Sequence, residues 1–405
     1  MRVFSVPESN PEVDLDSTLL SALNILLPKL TLTLSYLPGV VYADVNEPAR
    51  KVAFQQSGRA RLQFSTTLRR WTFSAYADAA YTAGNVALLN QFAPSVTPAS
   101  TGRTAPGTAP DAPPNLATPP VFGLTLVVPP NTTIKVGTAS LGVGAGYAFT
   151  RRLSLTGAAF GSASEGFDTV SRQLSPPSWT VGGGSDLSYG LTARDSIFTR
   201  ATVSYSVTDA PAQGKAVPET LTKSTIGAIS EGYRHIWSPR TSGSIAAGLS
   251  VGSSEASTGA NRTTFDTSAF GEGSLQHTTP IARGVIASVR ASARYGLGVN
   301  QFSGGLQNQL SGVASAGLTD GDVTLTASLT GTTSVAATPT TQTVAAALVS
   351  TYQPVTYLYF FAGATASRSL IPIQTTNAAG QPVVDNGIDW TAFLGIGVTA
   401  PALTF

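Results

Sequence analysis

The sequence contains no cysteine, and only one methionine and two histidines occur in its 405 residues. The absence of cysteine excludes disulfide scaffolds, thiolate metal sites and cysteine-dependent catalysis. Charged residues are scarce as well, because Lys, Arg, Asp and Glu make up 11% of the chain, whereas soluble domains average about 25%. A soluble protein of this length would need more charge to cover its surface. We expect neither a metal site nor a cofactor.

Long apolar runs are missing too, since no stretch approaches the roughly 18 apolar residues that a membrane-spanning helix requires. A content of 42% hydrophobic residues does not fit a disordered chain. The net charge of +2 is too small to indicate a nucleic-acid partner. Residues 1–20 show no apolar core of a secretory signal. We therefore expect the numbering to begin in a processed chain, or Met1 to be an addition.

Alternation with a period of two residues dominates the sequence. Between Asp322 and Thr332, apolar or small residues occupy one face of an extended chain, and Thr and Ser occupy the other. The apolar set is Val323, Leu325, Ala327, Leu329 and Gly331, and the polar set is Thr324, Thr326, Ser328, Thr330 and Thr332. Residues 387–401 and 284–300 show the same pattern. Helical spacing would mix both classes on every face, so these segments are predicted to be β-strands.

The same pattern and its turns predict about 16 strands, within a range of 14 to 18. The predicted segments are 31–45, 53–68, 71–85, 132–149, 153–167, 179–193, 196–209, 224–238, 243–258, 263–279, 284–300, 304–318, 322–336, 340–353, 356–370 and 387–401. The links between them alternate between tight turns and longer, Pro- and Gly-rich loops. The longest loop, 86–131, contains ten prolines. This alternation is typical of a transmembrane up-and-down antiparallel β-barrel with both termini in the periplasm.

The aromatic residues cluster at both ends of the predicted strands. Those near the short turns are Trp71, Tyr147, Phe149, Phe198, Trp237, Tyr352 and Tyr357. Those near the long loops are Trp179, Trp390, Tyr81, Phe167 and Phe265. Two such bands are expected where a barrel wall crosses the two membrane interfaces.

Over roughly residues 31–405 the chain resembles a Gram-negative outer-membrane β-barrel of porin size. Leu403 and Phe405 resemble the C-terminal signal that the barrel-assembly machinery reads. The acidic constriction-loop motif of general trimeric porins is not recognisable, and the second external loop is the long one instead of the third. The resemblance implies a location in the cell outer membrane, contact with its lipid, and biogenesis by that machinery. It leaves open a homo-oligomer or a complex with a periplasmic or surface protein.

Residues 1–30 differ from the rest of the chain, because their leucines fall at helical spacing. These are Leu15, Leu19, Leu23, Leu26 and Leu27. Pro28 would end such a helix. We predict a short amphipathic helix in the periplasm, which either packs at the barrel rim or binds a partner.

Charged residues on the polar faces of the predicted strands are candidates for lining the pore. The basic candidates are Arg59, Arg61, Arg200, Arg290 and Arg294. The acidic candidates are Asp78, Asp186, Glu231, Asp266, Glu272 and Asp389. Two interpretations remain: a transverse field between opposed arginines, or charges that pair and solvate the wall. Loop 86–131 is expected to fold into the pore mouth or to contact a neighbouring subunit.

Catalytic motifs are weak, and no enzyme is predicted. Gly248–Gly252 matches the nucleophile-elbow pattern but lies within an alternating strand. Gly142, Gly144 and Gly146 lack the spacing and the following helix of a dinucleotide site, so they are interpreted as packing positions.

Two functions remain open. The first is an outer-membrane channel for passive diffusion of small hydrophilic solutes through a polar lumen. The alternative is a structural or export-machine barrel that docks a periplasmic or cell-surface partner. A basic rim of arginines at the short turns, together with the N-terminal segment, favours the second.

Overall fold

The structure is a computed structural model, and it describes most of the strand-forming residues. The described residues are 2–4, 12–18, 21–27, 29–42, 53–85, 133–168, 171–172, 176–210, 219–258, 260–299, 305–335, 342–355, 358–370, 375–376, 382–383, 389–398 and 403–404. The strands are β1 (Arg2–Phe4), β2 (Glu12–Thr18), β3 (Ser21–Leu27), β4 (Leu30–Tyr42), β5 (Ala53–Leu68), β6 (Trp71–Asn85), β7 (Thr133–Ala148), β8 (Leu153–Gly166), β9 (Ser178–Gly190), β10 (Asp195–Ala210), β11 (Thr220–Ser238), β12 (Thr241–Thr258), β13 (Ala260–Ala282), β14 (Val285–Val299), β15 (Leu306–Asp320), β16 (Val323–Val335), β17 (Gln342–Val355), β18 (Leu358–Leu370), β19 (Thr375–Thr376), β20 (Pro382–Val383), β21 (Asp389–Val398) and β22 (Leu403–Thr404). Within this part of the chain, no helix is long and apolar enough to cross a membrane.

Strands β4 to β18 form an antiparallel meander in which each strand pairs with the next one along the chain. Strand β21 then pairs with β18. These strands coincide with the predicted segments, with their ends displaced by a few residues. The prediction of an all-β antiparallel sheet is therefore confirmed. Period-two patterning located the strands because one face of each strand is polar and the other apolar.

The predicted N-terminal helix is wrong, because its residues lie in strands. Leu15 lies in β2, and Leu23, Leu26 and Leu27 lie in β3, whereas Leu19 is outside the described residues. Both strands pair with β4. The edge of β4 offers a row of backbone hydrogen-bonding groups, and pairing with that edge overrides the helical spacing of the leucines.

Neighbouring residues along each strand point to opposite faces of the sheet, one apolar and one polar. On β12, Ile245 and Leu249 are 67% and 65% exposed on the apolar face. Ser250, the next residue, is 1% exposed on the polar face. The backbones of β10 and β13 are three strand spacings, or about 14 Å, apart in the sheet. The guanidinium of Arg200 on β10 nevertheless contacts the carboxylate of Glu272 on β13, so the polar face is concave.

The two turns at Gly284 and Gly321 use left-handed backbone conformations, with φ of +88° and +52°. Both turns join strands at the short-turn end of the sheet. A side chain is strained in this conformation, and glycine is not.

Replacing Gly284 with alanine is expected to lower the free energy of unfolding by about 1 kcal/mol. The added Cβ would have only Asp320 Oδ1 nearby, at 3.7 Å, so the loss would come from backbone strain and not from a clash. The matched control is Gly271→Ala on β13, where the nearest atom is 4.0 Å away and φ is not positive. Urea unfolding in detergent measures both variants. An equal effect for the two substitutions would contradict the backbone explanation.

Candidate functional site on the concave polar face

The polar face of β9, β10 and β13 carries a connected set of charges. The Arg200 guanidinium lies 3.1 Å from the Asp186 carboxylate, and both residues are 5% exposed. Arg200 also binds the Glu272 carboxylate across the intervening strands β11 and β12. Arg200 therefore pairs with two carboxylates, and Arg294, opposite Glu272 in strand register, places a second positive charge beside them. Buried charges are normally paired in this way.

Two phenylalanine rings contact the guanidinium groups of the arginines on this face. The centre of the Phe198 ring lies 5.2 Å from the guanidinium of Arg200 and 5.8 Å from that of Arg234. The Phe270 ring lies 5.0 Å from the Arg294 guanidinium. These are distances at which cations interact favourably with aromatic faces. Phe198 was predicted to belong to an aromatic band, but it lies on the polar face among these arginines.

Most predicted pore-lining residues lie on or in register with the polar face. Asp186, Arg200, Asp266, Glu272, Arg290 and Arg294 alternate with exposed apolar residues on β9, β10, β13 and β14. On β5 and β6, Arg61 lies 3.9 Å from Asp78. Arg59 is in register with Ala80, and Asp389 with Ser367. Pairing thus describes Arg61 and Arg200, and Arg294 stands opposite Glu272 in strand register. Arg290 instead stands opposite Gln276 and Ser315.

The prediction that Glu231 lies on the polar face is wrong, because this residue lies on the apolar face of β11. It is exposed and alternates with Ile229 and Tyr233, which are also exposed on that face. Its partner on the neighbouring strand β12 is Ala247. Strand β11 carries apolar residues on both faces, so its alternation does not fix which face is which.

Arg234 belongs to the polar face and was missed by the sequence analysis. It stands opposite Ser196 on β10 and Ser244 on β12. Once the face of β11 is assigned correctly, the even-numbered positions of this strand identify Arg234. The alternation along β11 was recognised, but its two faces were assigned the wrong way round.

The C-terminal end of β14 and the N-terminal end of β15 turn over the polar face of β12 and cover part of it. The pairing of β13 with β14 stops at Gly271 and Tyr295. Beyond that point, the Leu297 N–H donates to Ser250 Oγ at 3.3 Å, and a Cβ added at Gly252 would lie 2.9 Å from Leu306. We call residues 295–299 and 305–309 the inner hairpin. It narrows the space in front of the concave face.

The weak catalytic motifs have structural roles in the described chain. Ser250 of the elbow-like segment is buried, and its hydroxyl donates to the Ser268 carbonyl at 3.2 Å. A Cβ at Gly144 would lie 2.8 Å from the Ser74 hydroxyl, which supports the packing interpretation of the nearby glycines. The expectation that the chain is not an enzyme stays a prediction.

Of the predicted C-terminal signal and the long loop, only Leu403 lies among the described residues. Leu403 lies in β22 and pairs in parallel with Ile25 of β3. Phe405 and residues 86–131 lie outside the described residues.

No protein family matches the chain, and no curated protein matches its sequence. Similar solved structures include the FrpB iron transporter from Neisseria meningitidis, with a TM-score of 0.42 and 10% identity over 97% of this chain and 66% of that one. The ferric-catecholate import receptor Fiu from E. coli K12 has a TM-score of 0.46 and 10% identity over 98% of this chain and 75% of that one. The alcaligin outer membrane receptor FauA from Bordetella pertussis has a TM-score of 0.39 and 10% identity over 96% of this chain and 64% of that one. The chain thus spans about two thirds of the length of the FrpB structure.

Proposed function

We propose that this protein is an outer-membrane β-barrel channel through which small hydrophilic solutes diffuse. The observation that supports it is the separation of the two sheet faces. Large apolar side chains are exposed all along the convex face, for example Leu141, Ile245 and Leu329. Charged and hydroxyl-bearing side chains occupy the concave face. Such a sheet is stable when lipid covers the convex side and water fills the concave side.

The spacing of aromatic residues matches the thickness of a membrane. Trp179 and Tyr189 lie on the convex face at opposite ends of β9, ten residues apart. Ten residues of strand span about 33 Å, and a tilt of about 40° projects this length to about 25 Å. That is the height of the apolar band of an outer-membrane barrel.

Closure of the sheet into a barrel is part of the proposal. The two ends of the meander come together through the N-terminal strands: β2 pairs with β4 and with β1, and β1 lies beside β21. A closed ring leaves no strand edge in the lipid. A barrel of about 16 strands encloses an aqueous channel.

A barrel that docks a partner is the second candidate function. It is favoured by the position of Glu231, a carboxylate on the apolar convex face, because an acidic side chain facing acyl chains raises the free energy of the folded barrel. A stoichiometric partner recovered after mild detergent extraction, and lost with Glu231→Gln, would support this candidate over a channel that acts alone.

The channel proposal is tested by reconstitution in planar lipid bilayers. Folded protein should give discrete conductance steps that increase with salt concentration, because ions cross a water-filled lumen. Folding is checked by the shift of the unheated band on a gel. Folded, inserted protein without conductance steps would overturn the proposal.

Displacing the inner hairpin should enlarge the conductance. Gly252→Leu places a side chain where Leu306 packs against β12, with the Thr225 carbonyl of β11 3.0 Å from the new Cβ. We expect the hairpin to move away from β12 to make room for it. The control is Ala347→Leu, which places the same side chain on the polar face of β17, opposite Ser328 and Thr365 and away from the hairpin. Single-channel recording should show larger steps for the first variant only. Steps of unchanged size in Gly252→Leu would show that the hairpin does not limit ion flow.

A further inference from the structure

Two arginines on the concave face, Arg234 and Arg290, form no ion pair with a carboxylate of the described residues, and a third, Arg294, stands opposite Glu272 in strand register. Asp186 and Glu272 are both bound to Arg200. Asp266 accepts the Thr267 N–H at 2.9 Å and lies six residues beyond Glu272 toward the long loops. On the short-turn side of Glu272, the polar-face positions of β10 to β15 include no Asp or Glu. This part of the wall is therefore positively charged.

The three arginines surround a row of serines. Strand register aligns Arg234 of β11 with Ser244 of β12, Ser274 of β13 and Ser292 of β14. Three strand spacings, or about 14 Å, separate the backbones at the two ends of this row. Arg290 and Arg294 lie two residues on either side of Ser292, on the same face of β14.

The serine row supplies neutral donors between the positive charges. Ser244 and Ser274 are joined by a hydrogen bond of 2.8 Å between their hydroxyls. Gln276, in register with Arg290, donates its amide to Ser242 at 2.9 Å. Hydroxyl rotors reorient at little cost, so they can follow a ligand that accepts hydrogen bonds.

Guanidinium groups flanking hydroxyls bind the oxygens of phosphate and carboxylate groups, because the planar fork of arginine matches two such oxygens. Arg290 and Arg294 are exposed to the concave space. Binding in water is weaker than in a buried site, which suits a solute that must also leave.

We propose that this arginine–serine wall is a binding site for small oxyanions, and that the channel favours them over cations. The inference deepens the proposed channel function and rests on it. The shared ligand chemistry is a phosphate or carboxylate group, and inorganic phosphate and acetate are the two probes that distinguish these sources.

The test compares wild type with the double variant Arg290→Gln, Arg294→Gln. A unit charge about 7 Å from an ion in water changes its local concentration about twofold in 10 mM salt. Each lost arginine should thus halve the local chloride concentration and double that of potassium in 10 mM salt. The chloride-to-potassium permeability ratio, measured from reversal potentials, should therefore fall about sixteenfold in the double variant. It should change little in 1 M salt, where the Debye length is about 3 Å. The control is Arg172→Gln, which removes an arginine paired with Glu165 at 2.8 Å, outside this wall.

A second readout does not require conductance. Binding of inorganic phosphate, and separately of acetate, to the folded protein in detergent is followed by the broadening of the ligand resonance. Wild type and Arg172→Gln should bind, and the double variant should not. A wild-type channel that conducts without favouring anions, or a double variant that keeps both selectivity and binding, would overturn the oxyanion site and leave the channel proposal standing. Anion binding without conductance would instead overturn the channel proposal.

Discussion

Ala327→Arg is expected to prevent folding of the protein into lipid vesicles. Ala327 lies near the middle of β16, on the same face as Leu325 and Leu329, and stands opposite Ala316 on β15 and Leu348 on β17. Under the proposed function, this surface faces acyl chains. An arginine at the midplane of a barrel wall costs about 2–4 kcal/mol, which is a large part of the stability of a folded protein.

The adjacent residue provides the control. Ser328 points to the polar face, opposite Ser315 and Ala347, so Ser328→Arg places the same charge in water. The folded fraction is read from the band that migrates differently before and after heating. Normal folding of Ala327→Arg with failure of Ser328→Arg would show that the two faces are assigned the wrong way round. Failure of both would show that the sheet is covered on both faces and that no open lumen exists.

Strand positions could be predicted from the sequence because one face of the sheet is apolar and the other polar, so residue type alternates along each strand. The alternation of Val323, Leu325 and Leu329 with threonines placed β16 to within a residue of each end. Strand ends elsewhere were less accurate. Strand β11 begins at Thr220, ahead of the predicted 224, because Lys223 shares the exposed face with Leu221 and so interrupts the apolar pattern there.

The site was predicted only in part, since its contacts join residues far apart in the chain. Arg200 and Glu272 are 72 residues apart, and only the curvature of the sheet brings them together. The inner hairpin depends on the same curvature. Gly296 of β14 leaves room for the Phe270 ring, which would lie 3.0 Å from a Cβ at this position, but nothing local in the sequence indicates that this end of the strand turns toward β12. The N-terminal leucines were mispredicted because their partner, the edge of β4, is also supplied by the fold.

Arg200→Met is expected to be the most destabilising single substitution at the charged cluster. It would leave Asp186 buried without its ion pair, and Glu272 would lose the same partner. Removing one partner of a buried ion pair costs about 3–5 kcal/mol, because the remaining charge stays in a poorly solvated place. Glu272 is less buried than Asp186, so water can solvate it again. We therefore expect a loss near the lower end, about 3 kcal/mol, in urea unfolding.

A triple variant separates the cost of an orphaned charge from the loss of packing. Asp186→Asn, Arg200→Met and Glu272→Gln together remove all three charges and keep the side-chain volumes close to those of the wild type. Its stability should return to within about 1 kcal/mol of the wild type, because neutral groups of similar shape can replace a buried ion pair at little cost. Arg172→Met serves as the surface control, since it breaks an exposed pair with Glu165, and such pairs contribute about 0–1 kcal/mol. If Arg200→Met is as mild as Arg172→Met, water reaches Asp186 and the cluster is solvated. If the triple variant is as unstable as Arg200→Met, the Arg200 side chain stabilises the wall through its contact with Phe198 and not through its charge.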